Sequence, residues 1–363
     1  MNSHGARRHP HAIIDLDALR HNYHYLRQKA GGNRVIAVVK ADAYGHGATR
    51  VTEALAADAD AFAVATVGEA AALRGAGISQ KILVLGGFVD AGELQTCIEL
   101  ALDPVLHHAF HLECLYDSPG LNDLDVWLKI DSGMGRLGFP VDQARGIIHA
   151  LGNLDTLGSI RLMTHLANAD DVESTLTEAQ LERIRELELD RYEWAIANSA
   201  GILGWPDAHH LWVRAGIALY GADPMSDRGQ TPRELRPVMT MKSKVLAVNP
   251  HARGDTIGYG ATYTCERDMT IAVVATGYAD GYPRHKCETA RVEIHGRLCD
   301  VVGRVSMDMI TVDVSELASL AVGDEVTLFG ASPEVNELAE CSETIAYEVL
   351  CNVGAHVRRD YVG

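Results

Sequence analysis

The chain has 363 residues, of which 47% are hydrophobic and 22% are charged, as expected for a folded protein with a large core. Its formal net charge is −17 and it has no basic tract, which argues against a nucleic-acid partner. No apolar run is long enough to span a membrane, and residues 1–11 lack the apolar stretch of a secretory signal, so we expect a soluble, cytoplasmic protein.

The cysteines and histidines do not form a recognisable metal or disulfide pattern. The seven cysteines are scattered without a C-x-x-C pair, which argues against a disulfide framework and against a zinc site. His107 and His108, like His209 and His210, are adjacent rather than spaced by four residues. We therefore expect the cysteines to be mostly buried or incidental thiols, and we expect no bound metal.

The first part of the chain alternates helical and strand patterns. Residues 15–28 place apolar side chains on one helical face, and Thr177 with Gln180 fits a capping box at the start of a later helix. Eight short apolar runs predict strands, at residues 35–39, 61–64, 81–85, 104–106, 126–130, 160–164, 194–197 and 212–213. Eight such units predict an α/β fold, a (β/α)8 TIM-type barrel with its active site at the C-terminal ends of the strands.

The pattern changes after Tyr220. Residues 223–237 are polar and contain three prolines, as in a linker, and strand patterns follow at residues 239–248, 270–275, 292–294, 301–305, 309–314 and 325–329. A short helix at 344–350 and a last strand near Val357 complete the chain. We expect a barrel over 10–230, which binds the cofactor, and a mainly antiparallel β domain over 231–363, which residues 1–9 can join.

The first predicted strand ends in Lys40. An amine at the mouth of an apolar core is partly desolvated, so its neutral, nucleophilic form becomes accessible, as a lysine that forms a Schiff base requires. The alternative is a lysine that caps the strand and extends to water. Tyr44, His46 and the glycine backbone at residues 45 and 47 offer donors at the start of the next helix, where a phosphate is well placed.

The string VVKADAYGHG at residues 38–47 resembles the pyridoxal-phosphate lysine motif of the alanine racemases, and the resemblance continues to about Arg359. It implies that Lys40 carries the cofactor, pyridoxal 5′-phosphate, and acts as the base on one face of the substrate α-carbon. It also implies that Tyr44 contacts the cofactor.

The string GMGRLG at residues 133–138 matches the dinucleotide-binding pattern G-x-G-x-x-G. We reject that function because the match follows the fifth strand and Arg136 occupies a position that would face the pyrophosphate. The wider string at residues 129–138 resembles the second racemase signature. It implies that Arg136 binds the substrate carboxylate and the phenolic oxygen of the cofactor, and that a carbamylated Lys129 orients Arg136. The alternative for Lys129 is a charge paired with Asp131.

Polar clusters follow the sixth, seventh and eighth strands and lie on the predicted active rim. The resemblance implies that His165 packs by the pyridine ring and that Arg214 faces the pyridine nitrogen. Because arginine keeps its proton, the ring nitrogen stays unprotonated, which favours return of the proton to the α-carbon over transamination. The other expected cofactor contacts, mainly to the phosphate, are Asn198, Ser199, Gly216 and Ile217.

The second domain supplies the remaining predicted site residues. Racemisation needs one base on each face of the α-carbon, and the resemblance assigns the second base to Tyr259. Its pKa must lie below the usual value, and His165 and Arg214 are the groups expected to lower it. The alternative is an aromatic residue packed at a turn. The substrate pocket is expected to include the Met307 amide, Tyr278 and Asp308.

One position departs from the family pattern. Ala355 occupies the place of a tyrosine that binds the phosphate in some members, so we do not expect phosphate binding there. In the family the second base enters the site of the partner chain, which implies a head-to-tail homodimer with two shared active sites.

The resemblance implies a racemase that interconverts L- and D-alanine, either to supply D-alanine for peptidoglycan or for its catabolism. One alternative is a racemase of broader specificity, for example for serine, because side-chain selectivity depends on pocket shape. A second is a non-catalytic carrier of the cofactor, which would end near Tyr220. A third is a decarboxylase of similar architecture, against which the motifs around Lys129, Arg136 and Tyr259 argue.

Overall fold

A computed structural model describes residues 9–118, 121–227 and 234–363. Its first part is a closed parallel barrel with strands Arg34–Val38, Ala61–Val64, Ile82–Val84, Asp103–Leu106, Leu124–Asp131, Leu157–Met163, Trp194–Ala195 and Trp212–Ala215. Each strand pairs in parallel with the next, and the eighth pairs with the first, with Arg214 opposite Ile36. The predicted (β/α)8 barrel and its eight strands are confirmed.

Helices surround the barrel. Leu16–Lys29 precedes the first strand, and Asp15 caps it by accepting a hydrogen bond from the Ala18 N–H at 2.9 Å. The helices between the strands are Lys40–Tyr44, Ala48–Leu55, Val67–Gly75, Ala91–Glu99, Ala109–Tyr116, Ala144–Gly152, Thr175–Arg185 and Ser199–Gly204. Within the described ranges, no helix combines the length and the apolar character that crossing a bilayer requires.

The helix Thr175–Arg185 differs from its prediction. Its N-cap is Ser174, whose hydroxyl accepts from the Thr177 N–H at 3.4 Å. Thr177 and Gln180 lie inside the helix and are completely buried, so the predicted capping box is wrong. The same spacing of three residues places both side chains on the inner face of the helix, because residues three apart are neighbours on a helix surface.

The second part of the chain forms an eight-stranded sheet. Its strands, in spatial order, are Met269–Val274, Ile310–Asp313, Arg297–Val302, Arg291–Ile294, Glu325–Phe329, Met239–His251, His11–Asp15 and Arg358–Val362. All pairings in it are antiparallel except that of His11–Asp15 with Arg358–Val362, which confirms a mainly antiparallel β domain. Two helices, Val335–Cys341 and Ala346–Cys351, pack beside the sheet, and the first of them was not predicted.

The β domain and the barrel share one hydrophobic core. The strand His11–Asp15 belongs to the β-domain sheet, where it lies beside the C-terminal strand Arg358–Val362, and it leads directly into the first barrel helix. The predicted boundary between residues 230 and 231 and the predicted contribution of residues 1–8 lie outside the described residues. The domain limits 10–230 and 231–363 stay a prediction.

A disulfide joins Cys287 to Cys341, 54 residues apart in the sequence. The prediction of incidental thiols is therefore wrong for these two cysteines. They meet because the helix Val335–Cys341 packs beside the segment at Cys287, whose N–H donates to the Cys341 carbonyl at 2.7 Å. The remaining cysteines are free thiols: Cys97, Cys114, Cys265, Cys299 and Cys351.

Candidate active site

A cavity of about 710 Å³ opens at the C-terminal ends of the barrel strands, within the usual size range of cofactor sites. The predicted site residues that line it are Lys40, Tyr44, Lys129, Arg136, His165, Asn198, Ser199, Arg214 and Gly216. They come from strand ends that are far apart in the sequence. The closed barrel brings them around one space.

Lys40 begins an unusual turn at the end of the first barrel strand. Residues 41–44 all have left-handed backbone angles, with φ between 52 and 54°. This conformation costs about 1–2 kcal/mol per residue for L-amino acids, so it must be held by its surroundings. The Glu69 carboxylate accepts from the Ala41 N–H at 2.8 Å and from the Ala65 N–H at 2.7 Å, which ties the turn to the second barrel strand.

The β domain holds the other end of this turn. The Arg359 guanidinium donates to the Gly45 carbonyl at 2.8 Å, and the Tyr361 hydroxyl donates to the His46 carbonyl at 3.0 Å. A Cβ at Gly45 would lie 2.3 Å from the Leu350 carbonyl oxygen, and the φ of Gly45 is +81°, so only glycine fits. The last strand of the chain therefore supports the backbone that presents Lys40.

The His46 side chain stabilises the turn by bonding to backbone carbonyls of the turn itself. Its Nδ1 lies 3.0 Å from the carbonyl oxygens of both Ala43 and Tyr44, so Nδ1 carries the proton and donates. The ring is completely buried and packs on Tyr220 at 4.5 Å between ring centres. Burial lowers the pKa of His46 to about 4, which keeps the ring neutral.

Four cationic side chains, Lys40, Lys129, Arg136 and Arg214, line the cavity. Burial lowers the pKa of Lys40, and the nearby Arg136 lowers it further. Burial, Arg214 and Arg136 together lower the pKa of Lys129 to about 8. Both amines are thereby shifted toward their neutral, nucleophilic forms.

Asp131 is held by backbone N–H groups rather than by a direct contact with Lys129. Its carboxylate accepts from the backbone N–H groups of Gly133, Met134 and Gly135 at 3.0, 2.9 and 3.0 Å. Burial raises the pKa of Asp131, but these bonds, together with the charge of Lys129, lower it below its usual value. No ion pair joins it to Lys129 in the part of the chain that the structure describes. The carboxylate shapes the loop that carries Arg136, and the geometry does not support the alternative of a Lys129–Asp131 pair.

Arg214 is a buried residue of the cavity lining and determines the protonation state of His165. Its guanidinium donates to three backbone carbonyls, those of Ala195 (2.5 Å), Thr164 (2.7 Å) and Ile196 (2.9 Å). It also lies 3.3 Å from Nδ1 of His165, which must accept because a guanidinium has only donors. Burial and then Arg214 hold the pKa of His165 well below its usual value, so the imidazole is neutral.

A small polar cradle lies between the seventh and eighth strand ends. The Ser199 hydroxyl accepts from the N–H groups of Gly216 and Ala218 at 2.8 and 3.3 Å. A Cβ at Gly216 would lie 3.1 Å from the Tyr44 hydroxyl and 3.6 Å from the Ser199 hydroxyl. Ile217 is completely buried beside them. A side chain at Gly216 would therefore crowd the Tyr44 hydroxyl, and the two hydroxyls with the glycine backbone form a polar group that suits the phosphate of the expected cofactor.

The predicted residues of the β domain lie elsewhere in the single chain. Tyr259, Met307 and Tyr278 are 70%, 54% and 41% exposed, and neither they nor Asp308 belong to the described lining of the cavity. Ala355 is exposed as well. One chain by itself thus does not bring Tyr259 to Lys40.

The β domain contributes two cavity residues that the sequence analysis missed, Ile345 and Tyr347. The Tyr347 ring lies 5.8 Å from that of Tyr44. The helix Ala346–Cys351 was predicted, but no feature of its sequence indicates that it packs over the lysine turn. Only the packing of the two domains shows this.

Taken together, the barrel, the half-buried lysine at a strand end and the polar cradle at Ser199 and Gly216 define a pyridoxal-phosphate enzyme of the barrel class. Among the described residues, no group of three or more histidine, cysteine or acidic side chains is arranged to hold a metal ion.

Comparison with known proteins identifies the family. The family models for the N-terminal and C-terminal domains of alanine racemase match residues 14–224 and 238–361. The chain is 49% identical to the alanine racemase of Azoarcus sp. (strain BH72) over 94% of this chain and 96% of that protein. It is 44% identical to the catabolic alanine racemase of Pseudomonas aeruginosa, over 97% and 98% of the two chains. The chain belongs to the alanine racemase family.

Solved structures of alanine racemases match the fold of the whole chain. The biosynthetic alanine racemase from Pseudomonas aeruginosa matches with a TM-score of 0.94 and 42% identity over 98% of this chain and all of that one. The alanine racemase from Bartonella henselae, solved with covalently bound pyridoxal phosphate, matches with a TM-score of 0.87 and 29% identity over 98% and 99%.

His46 should titrate near pH 4 in the folded protein. The unfolded chain binds this proton at about pH 6.5. The contribution of His46 to stability is therefore present above pH 6.5 and is lost as the pH falls toward 4, because there the unfolded state binds more protons than the folded state. Imidazole nitrogen NMR of the folded protein, with His46→Gln to assign the signal, measures this. A midpoint near 6.5 would contradict the buried, neutral ring.

Proposed function

We propose that this alanine racemase interconverts L- and D-alanine by two-base proton transfer, with Lys40 on one face of the α-carbon and Tyr259 on the other. The observation that carries the proposal is the lysine at the mouth of the barrel, desolvated and surrounded by cations, in a chain that matches the family over both domains. Pyridoxal phosphate, when bound, supplies an electron sink that acidifies the α-hydrogen of the substrate.

Lys40 holds the cofactor and then moves protons at Nζ. Its lowered pKa favours the neutral amine, which can accept the α-proton. Tyr44 and Ser199, with the backbone at Gly216 and Ile217, hold the phosphate, and Asn198 lies beside them. The close approach of the Tyr44 and Ser199 hydroxyls to Gly216, which has no side chain, supports this assignment.

Arg136 binds the substrate carboxylate, since a planar guanidinium can donate two parallel hydrogen bonds to it. Lys129 is carbamylated and orients Arg136. Two features favour this modification: the pKa of Lys129 is lowered to about 8, and three cationic side chains surround it. A carbamate would replace one of the positive charges by a negative one beside Arg136.

Arg214 determines the outcome of the reaction. Fixed by three backbone carbonyls, it presents only donors and cannot protonate the pyridine nitrogen, while the neutral His165 packs beside it. An unprotonated ring withdraws electrons less strongly. This arrangement favours return of the proton to the α-carbon over transamination.

The second base comes from a partner chain in a homodimer. Tyr259 is 70% exposed and lies outside the cavity of its own chain, as do Met307 and Tyr278. A head-to-tail dimer would bring these residues, with Asp308, to the cavity of the partner and complete two shared sites.

The alternative of a non-catalytic cofactor carrier predicts a chain that ends near Tyr220. The presence of the β domain is evidence against it, since residues 238–361 match the family's C-terminal domain. Use of serine or other small amino acids depends on pocket shape and is an outcome of substrate assays. The relatives include racemases described as biosynthetic and as catabolic, so both the peptidoglycan and the catabolic role fit, and the cytoplasmic location stays a prediction.

The purified protein should be yellow, and borohydride should fix the chromophore to the peptide that contains Lys40. Peptide mass spectrometry locates the label. Lys40→Ala should abolish both labelling and racemisation, whereas Lys29→Ala, a change on the exposed face of the first helix, should alter neither. A label on any other lysine would refute the assignment.

Lys129→Ala should lower kcat/KM roughly tenfold to a hundredfold, because Arg136 loses the group that orients it. Added acetate or chloride should restore part of the activity by replacing the negative charge. Intact-mass measurement in bicarbonate buffer should show the carbamate on the wild-type protein. An unmodified Lys129 under these conditions, or a variant that the anions do not improve, counts against the carbamate.

Mixing Lys40→Ala with Tyr259→Ala should regain activity when subunits exchange. In a heterodimer with shared sites, one site carries both lesions and the other carries neither. Random exchange would make half of the dimers mixed, so activity should reach about a quarter of the wild-type value. If mass spectrometry verifies exchange and activity stays at the level of the separate variants, each chain completes its own site.

A further inference from the structure

Gln180 is a completely buried amide whose hydrogen bonds all go to the active-site side of the barrel. Its Oε1 accepts from the Ala167 N–H at 2.9 Å. Its Nε2 donates to the Ser132 hydroxyl at 3.1 Å and to the His165 carbonyl at 3.0 Å. Because the Ala167 N–H can meet only an acceptor, the orientation of the amide is determined.

These bonds join two segments that follow neighbouring barrel strands. The ladder between the fifth and sixth strands ends at the pair Lys129 and Met163. Past the end of these strands, side chains join the two segments. The Ser132 and Thr164 hydroxyls lie 2.8 Å apart, and Gln180 bonds to both segments. Arg183, from the same helix as Gln180, adds a bond from its guanidinium to the Ser132 carbonyl at 2.7 Å.

We infer that Gln180 is a positioning residue of the racemase: it holds the loop that carries Arg136 at a fixed distance from the segment that carries His165. The inference rests on the proposed function, which places these two side chains against substrate and cofactor. Gln180 does not line the cavity and does not act on the reacting atoms itself.

The physical reason is the loss of the connection between the two segments. Without the Gln180 amide, the Ala167 N–H loses its acceptor, and the His165 carbonyl and the buried Ser132 hydroxyl each lose a donor. Water from the cavity can replace the bonds at Ala167 and His165, but it does not tie the two segments together, so they can shift relative to each other. A shift of about 1 Å at a substrate-binding residue can cost about a hundredfold in rate.

The helix Thr175–Arg185 offers a matched control. Thr177 lies one turn before Gln180 and is equally buried, but its hydroxyl has no hydrogen-bond partner among the described residues. Thr177→Val therefore removes a buried polar group of the same helix without breaking a bond. Gln180→Met removes all three bonds of the amide at similar side-chain length, and Gln180→Glu keeps the acceptor for Ala167 while losing the amide donors.

The experiment measures two quantities for the wild type and the three variants. Amide hydrogen exchange of Ala167, followed by NMR in the cofactor-free protein, reports the bond directly and needs no activity. Steady-state racemisation of L-alanine, at a temperature where all variants are folded, gives kcat and KM separately.

For Gln180→Met we expect at least tenfold faster exchange at Ala167, and a kcat/KM that is about tenfold to a hundredfold lower, with an increase in KM. Gln180→Glu should keep the protection of Ala167 and still lose activity, because its carboxylate faces the His165 carbonyl. Thr177→Val should stay within about twofold of the wild type in both measurements.

The inference is overturned if Gln180→Met matches Thr177→Val in kcat/KM, or if it loses activity while Ala167 exchanges at the wild-type rate. If Gln180→Met does not fold, the activity of Gln180→Glu tests the inference, and a wild-type kcat/KM in that variant overturns it. Absence of racemisation by the wild-type holoenzyme would reject the proposed function instead, and wild-type exchange at Ala167 in Gln180→Met would then reject the positioning role on its own.

Discussion

The left-handed turn after Lys40 is the constraint on which the site depends. Residues 41–44 adopt a backbone conformation that L-amino acids avoid, at a cost of about 1–2 kcal/mol each. Bonds from Glu69, His46, Arg359 and Tyr361 hold it. Two of these four residues belong to the last strand of the chain. The barrel carries the lysine, but the β domain supports the backbone that directs it.

The same packing explains the electrostatics of the site. Burial at the strand ends lowers the pKa of Lys40 and Lys129, and Arg136 adds to both effects. A pocket lined with cations favours anionic groups, and the proposed ones are the cofactor phosphate, the substrate carboxylate and a carbamate on Lys129. Arg214 is satisfied by carbonyl oxygens, so it keeps its charge without a carboxylate partner. Burial and the charge of Arg214 hold the pKa of His165 well below its usual value, so its imidazole is neutral.

Patterns that are local in sequence were predictable, and those that join distant segments were not. The run of apolar residues before Lys40 indicated a buried strand, and the eight strands with their order followed from similar runs. The spacing of Thr177 and Gln180 suggested a cap, yet both face inward, because the same spacing marks one face of a helix. Cys287 and Cys341 are 54 residues apart, and nothing in their flanking sequence indicates that they pair.

The sequence by itself determined the barrel, the β domain, the family and the identity of the residues at the strand ends, because each depends on periodicity or on a short motif. Only the tertiary structure decided that Tyr347 lines the cavity, that Arg359 and Tyr361 hold the lysine turn, and that Tyr259 lies outside the cavity of its own chain. These facts depend on how the two domains pack, and packing is set by the shapes of whole surfaces that no short stretch of sequence encodes.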